Sequence, residues 1–265
     1  MTNHDTRAAV AERAATAGAE LAYEQFRTGI AAETKTSATD LVTEADRGAQ
    51  RRVIEVIESN FDEEVVVGEE DDAAKTVPDE GPAWIVDPID GTNNFVDGIR
   101  VWGTAVAAVI DGEPVGSAVV LPALDDSYTA DRTAAYRNGS EISVSETREA
   151  ALSTVAPMLW WDTDSREAYA AATREIVERF DDLRRFGSAQ ATLALIADGA
   201  IEGGITDLQA HPWDSVAGVH MVRQAGGRVT DIHGERWRHD STGLVISNGE
   251  VHDAMQAATD GIVDR

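Results

Sequence analysis

Cysteine is absent from this 265-residue chain. That excludes disulfides, thiol nucleophiles and thiolate metal ligands. Lysine is nearly absent as well. Lys35 and Lys75 are the only two, and every other basic side chain is an arginine. The net charge is −26, a field that repels nucleic acid and anionic membranes. No apolar run approaches the ~18 residues that a membrane-spanning helix needs. The start, Met1-Thr2-Asn3-His4-Asp5, lacks the basic and apolar regions of a signal peptide, so a cytoplasmic location is expected.

What is present is an ordinary core. Hydrophobic residues make up 43%, so the charge is not the signature of a disordered chain. It reads instead as adaptation to high salt, where screening over about 3 Å at 1 M tolerates the self-repulsion. The length allows one large domain or two modest ones. A boundary near residues 140 to 150 divides an N-terminal domain, 1–145, from a C-terminal domain, 146–265.

Residues from about Thr6 to Phe26 read as an alanine-rich helix, and a second helix is expected from Glu44 to about Ser59, with Val53, Ile54 and Ile57 on one face. Val65-Val66-Val67 reads as a short buried strand, and Trp84-Ile85-Val86 as a second one ending at Asp87. Thr104–Ile110 and Val115–Leu121 flank the turn Asp111-Gly112-Glu113-Pro114, the pattern of an antiparallel hairpin. Asn138-Gly139 is a further hairpin signal. The second half alternates, with strands expected at 154–159, 183–186 and 201–205, and helices at 165–180, 188–197 and 214–224. Strands around Val229-Thr230-Asp231 and Leu244-Val245-Ile246 and a helix after Gly249 end the chain. The expected class is α/β, with an α+β N-terminal half and an α/β C-terminal half.

Chemistry concentrates in Asp87-Pro88-Ile89-Asp90-Gly91-Thr92. An apolar strand delivers Asp87, and proline and glycine then impose a tight turn that lets Asp87 and Asp90 converge. Paired carboxylates suit hard divalent cations such as Mg²⁺, and a helix opening at Gly91-Thr92 would offer free N–H groups to phosphate. For any single aspartate a plain surface turn is the simpler reading; for the whole string behind an apolar strand it is not. Gly68-Glu69-Glu70 is a second acidic string behind an apolar strand, and an exposed acidic loop is its bland alternative. In Asp40-Leu41-Val42-Thr43-Glu44-Ala45-Asp46, Thr43 can cap the following helix with Asp46 closing a capping box, or Asp46 can serve a metal site by bonding a hydroxyl. Asp214, after Trp213, reads as an N-cap or as a rigidly held metal ligand. His211 and His220 are isolated, and no histidine pair suggests zinc.

Together these strings resemble the inositol monophosphatase family of the lithium-sensitive, Mg²⁺-dependent phosphatase superfamily. The matching pieces are Asp40-Leu41-Val42-Thr43 with Asp46, Gly68-Glu69-Glu70, Asp87 to Thr92 with Asn94-Phe95, Trp213-Asp214 with Ala217-Gly218, and Ala225-Gly226-Gly227. They run in the family's order, and Asn138-Gly139 with Ile142, Val144 and Ser145 looks like its central hairpin. The resemblance spans about residues 35 to 250. It implies a layered αβαβα sandwich, usually a homodimer, with two or three Mg²⁺ ions per site and no nucleic-acid or membrane partner. It places most metal ligands in the first domain and Asp214 in the second.

Carried over, the metal ligands are Glu69, Asp87, Asp90 and Asp214, with Ile89 acting through its backbone carbonyl. Thr92 positions or activates water, with Asp46 as its hydrogen-bonding partner and Glu69 beside it. Gly91 and Thr92 supply backbone donors to phosphate. Asp90, Ala189, Asp207 and Asp214 fall on the substrate side, and Lys35 and Glu70 near the site. Gln224 and Asp207 depart from glutamates common in the family, and Asp97 and Arg100 fall in a variable segment. The implied activity is hydrolysis of a small sugar or polyol phosphate, inositol-1-phosphate or fructose-1,6-bisphosphate, by direct in-line attack of metal-activated water. The latter is a substrate of archaeal relatives of the family above all, and an acidic, salt-adapted chain fits that assignment. Alternatives are 3′-phosphoadenosine 5′-phosphate as substrate, a haloacid-dehalogenase-type phosphatase with a covalent aspartate, and a non-catalytic metal- and phosphate-binding regulator. The second needs one residue between its aspartates, where this chain has Pro88 and Ile89.

Overall fold

The computed structural model describes residues 3–29, 32–34, 41–70, 73–159 and 163–263. Lys35 and Asp40 lie outside them. Helix α1 (Asn3–Gln25) leads to a short hairpin, β1 (Ala32–Thr34) and β2 (Leu41–Thr43), and then to α2 (Glu44–Glu58). Both helices fall close to where the sequence puts them. Thr43 starts α2 with a full capping box: its Oγ accepts from the Ala45 amide at 3.1 Å, and its own amide donates to Asp46 Oδ2 at 2.7 Å.

Next come β3 (Val65–Gly68), β4 (Pro82–Asp90), the five-residue α3 (Thr92–Val96), β5 (Gly103–Ile110) and β6 (Glu113–Leu121). They are followed by β7 (Asp126–Ala130), β8 (Ala135–Arg137) and β9 (Ser140–Ile142). Strands β3 to β9 form one seven-stranded sheet in chain order. Asn138 and Gly139 join β8 to β9 with φ values of 49° and 77°, the left-handed pair that a type I′ turn requires. Two expectations need correction. The sequence of the first half reads as helices followed by antiparallel strands, whereas the β3–β4 pair is parallel, because a long connection rather than a hairpin joins the two strands. And β3 is an edge strand, so Val65 is 44% exposed while only Val67 and Gly68 are buried.

The second half contributes β10 (Thr154–Pro157), α4 (Arg166–Arg179), β11 (Asp182–Leu183), α5 (Ala189–Ala197) and β12 (Gly203–Thr206). Then follow α6 (Pro212–Gln224), β13 (Arg228–Thr230), β14 (Leu244–Ser247) and α7 (His252–Val263). Its sheet runs β11-β10-β12-β14-β13. Strand β11 stops at Leu183, short of the expected Phe186. The Arg184 amide still donates to the Val155 carbonyl at 3.1 Å, whereas the carbonyl of Phe186 accepts from Asn94 Nδ2 at 2.8 Å.

Alternation along the strands explains the layers. On β4 and β5, Trp84, Val86, Val106 and Ala108 face α1 and α2. Their neighbours Ala83, Ile85, Ala105 and Ala107 face α5 and α6. Those two helices also cover Ala156, Leu244 and Ile246 of the second sheet. Its other face, with Val155, Ile205 and Val245, packs on α4 and α7. The result is an αβαβα sandwich with both sheets apolar on both faces. No helix among the described residues is long and apolar enough to cross a membrane.

Candidate metal and phosphate site

The local structure of the Asp87–Thr92 string differs from the expected tight turn. Strand β4 continues through Pro88 to Asp90. Asp87 lies opposite Ala105 and Asp90 opposite Gly103, so β4 takes three steps where β5 takes two. Residues three apart on a regular strand point to opposite faces, and one extra residue returns them to the same face. The bulge, not a turn, brings the two carboxylates together. Pro88 is tolerated there because a bulge asks for one fewer ladder donor; its carbonyl accepts from Thr104 Oγ1 at 2.7 Å. The turn comes at Gly91, in the left-handed region at φ 90°. A Cβ there would also stand 3.1 Å from the Gly187 carbonyl oxygen, a tight approach that adds to the strain of a left-handed side chain. Thr92 then opens α3, whose first amides have no intrahelical partner.

Helices α5 and α6 bring the rest. Ser188 caps α5 by accepting from the Ala191 amide, and its hydroxyl donates to Asp90 Oδ2. The amides of Ala189 and Gln190 donate to Asp90 at 3.0 and 2.8 Å. Asp214 is not the N-cap of α6. The helix begins at Pro212 with His211 in the cap position, because proline is well suited to a first turn that needs no N–H. Asp214 is thus inside the first turn, with its amide on the His211 carbonyl. Single carboxylate oxygens of Asp87, Asp90 and Asp214 lie within 4.8 Å of one another.

Burial makes this cluster costly without a cation. Desolvation, followed by the charges of Glu69, Asp90, Asp214 and Asp46, drives the Asp87 carboxyl well above its ordinary range. Burial raises Asp90 to about 6, although Ser188 and the α5 amides oppose the rise. Asp87 is 1% exposed, and its Oδ1 has no hydrogen-bond partner among the described residues. An all-oxygen donor set with one orphaned buried oxygen fits a hard divalent cation.

Beside the cluster, Thr92 Oγ1 lies 3.2 Å from Asp46 Oδ1 and 3.0 Å from the Ile89 carbonyl oxygen. Asp46 is fully buried and also accepts from the Thr43 hydroxyl at 2.6 Å. The capping box and the hydroxyl-bonding role, which the sequence poses as alternatives, are therefore one arrangement. Glu69 lines the same cleft as the three aspartates, Ile89, Gly91, Thr92 and Ala189. Its carbonyl and that of Gly68 accept from Lys75 Nζ at 3.0 and 2.8 Å. Glu70 is held by Gln50, which bonds both its amide and its carbonyl.

One expected residue, Asp207, and the variable-segment Arg100 stand elsewhere. Asp207 follows β12 and Arg100 bonds the Ala123 carbonyl at 2.5 Å; neither is among the residues lining the cleft. Ser188, Gln190 and Arg185 carry no site signal in the sequence. Ser188 shows a helix-start signal, but its partner Asp90 is 98 positions away.

A buried cluster of carboxylates, a hydroxyl–carboxylate pair and the start of α3 thus meet at one cleft. The model of the inositol monophosphatase family matches residues 3–263, and the chain belongs to that family. It is 34% identical over 237 residues to a fructose-1,6-bisphosphatase/inositol-1-monophosphatase of Thermotoga maritima, covering 88% of this chain and 87% of that one. It is 30% identical over 257 residues to the Nus factor SuhB of Escherichia coli, covering 94% and 93%. The solved structure of a Thermotoga maritima IMPase superposes with a TM-score of 0.86 at 30% identity, covering 100% of this chain and 99% of that one. The chain is a phosphoric monoester hydrolase of this family.

Proposed function

We propose that the protein is a Mg²⁺-dependent phosphatase of a small sugar or polyol phosphate, with inositol-1-phosphate and fructose-1,6-bisphosphate as its leading substrates. The observation that carries this is the buried convergence of Asp87, Asp90 and Asp214 with an orphaned oxygen on Asp87. Glu69 and the Ile89 carbonyl complete the donor set. Two or three Mg²⁺ ions bound there would supply Lewis-acid stabilisation and a lowered pKa for a coordinated water.

The chain's own residues do the remainder. The Thr92 hydroxyl donates to Asp46 Oδ1, which turns its lone pairs towards an attacking water. A proton leaves that water for Thr92 Oγ1 as the threonine's own proton passes to Asp46. The amides at Gly91 and Thr92 orient the phosphate for in-line displacement, and no covalent enzyme intermediate forms. Ala189 is assigned to the substrate side at the cleft wall, where its amide already serves Asp90. Asp207 is assigned there on the family resemblance alone. The same reading carries a homodimer, a cytoplasmic location in high salt, inhibition by lithium, and a division into domains 1–145 and 146–265.

The test is phosphate release in molar KCl, comparing kcat/KM for inositol-1-phosphate, fructose-1,6-bisphosphate and 3′-phosphoadenosine 5′-phosphate, with and without Mg²⁺. Mg²⁺-dependent turnover of one of the first two is expected. No turnover on any would favour a regulator on this fold, a reading given weight by the relative that is named a Nus factor.

A further inference from the structure

Gln190 is fully buried in the first turn of α5, and its backbone N–H and side-chain amide bond Asp90 and the residues flanking Asp214. Its amide N–H donates to Asp90 Oδ2 at 2.8 Å. Its Nε2 donates to the Trp213 carbonyl at 2.5 Å, one residue before Asp214. Its Oε1 accepts from the Gly218 amide at 2.8 Å, four residues after Asp214. One residue therefore grips Asp90 directly and brackets Asp214 along α6.

The helices approach closely enough for this only because position 218 is glycine. A Cβ there would stand 2.3 Å from Leu193 Cβ and 2.9 Å from Gln190 Oε1. Asp90 is on β4 and Asp214 on α6, so no covalent neighbour sets their spacing. The Gln190 backbone N–H on Asp90 and its side-chain amide on α6 link the two.

We propose that Gln190 is a positioning residue that sets the separation of the Asp90 and Asp214 carboxylates for the cation. This rests on the metal reading above. Groups that orient metal ligands typically change affinity by roughly 10- to 100-fold when removed. A side chain that merely satisfied a helix contact would lower stability and leave metal affinity alone.

The experiment is Mg²⁺ titration by calorimetry on the full chain, with melting curves taken without Mg²⁺. Gln190→Met keeps the volume and removes both side-chain bonds, and its Kd for Mg²⁺ is expected to rise roughly 10- to 100-fold, with kcat at saturating Mg²⁺ little changed. Gln190→Glu keeps an acceptor for Gly218 and should fall between it and the wild type. Should Gln190→Met fail to fold, Gln190→Glu carries the test through its own raised Kd. Thr259→Val, which removes a buried hydroxyl on α7 bonded to the Gln256 carbonyl at 2.6 Å, should lower the melting temperature without moving the Kd. Wild-type affinity in the folded Gln190 variants, or equal weakening in Thr259→Val, would overturn the proposal. A wild-type protein that binds no Mg²⁺ would overturn the metal reading and this role with it.

Discussion

Asp87 and Asp90 are the same residue type three positions apart, yet their surroundings differ. Asp90 receives the Ser188 hydroxyl and two helix amides. Asp87 has an oxygen with no partner among the described residues. Removing either charge should relieve desolvation while destroying the donor set. Asp87→Asn and Asp90→Asn should each lose Mg²⁺-dependent turnover by about 100-fold or more and still fold, with Asp87→Asn melting no lower than wild type in the absence of metal. Near-normal phosphate release by either purified variant would count against this site. The pH dependence follows from Asp90. Its folded-state pKa is raised to about 6 from 3.8, so the folded protein holds this proton more tightly than the unfolded chain. That contribution to stability is complete below about pH 4 and is lost as pH rises through 6. The Asp90-dependent part of the metal-free melting temperature should thus fall between about pH 4 and pH 6 and level off above it, and Asp90→Asn should lose that slope. On the proposed metal reading, Mg²⁺ bound by the ionised carboxylates should raise the melting temperature more at pH 7 than at pH 5. Equal Mg²⁺ shifts at both would contradict the assignment.

Three features hold the cluster at the level of elements: the bulge in β4, the start of α5 on Asp90, and the close crossing of α5 and α6. The crossing is the most sensitive to a single methyl group. Gly218→Ala places a Cβ 2.3 Å from Leu193 Cβ, and helices this tightly packed cannot absorb it without moving apart. Overpacking of this kind costs about 1–3 kcal/mol. The variant should melt lower in denaturant titrations and bind Mg²⁺ more weakly, because Asp214 moves with α6. An unchanged midpoint would show that the helices have room to spare. The glycine of the Ala217-Gly218 pair is readable in the sequence as part of a pattern. What it makes room for is readable only with α5 in place.

For the whole molecule the governing quantity is charge. A net −26 on a 265-residue chain is a self-repulsion that dilute buffer leaves unscreened. Melting temperature should rise substantially from dilute buffer to molar KCl, and equal stability in both would sink the salt-adaptation reading. The same field opposes the approach of an anionic substrate. Clustered divalent cations reverse it locally, so substrate KM should depend on Mg²⁺ concentration more steeply in dilute buffer than in high salt.

Local rules determined much of this protein. Alanine-rich composition set α1, the 3.6-residue period set α2, the Thr43–Asp46 capping box set where α2 begins, and Asn138-Gly139 set its hairpin. Each depends on residues a few positions apart, which is why the sequence displays them. The tertiary structure alone decided that β3 runs parallel to β4, that Asp87 and Asp90 share a face through a bulge, and that Asp214 sits inside rather than at the cap of α6. It alone put Ser188 and Gln190 on Asp90 from about 100 positions away. Those outcomes depend on strand register and on helices packed from both halves of the chain, and no short-range pattern encodes either.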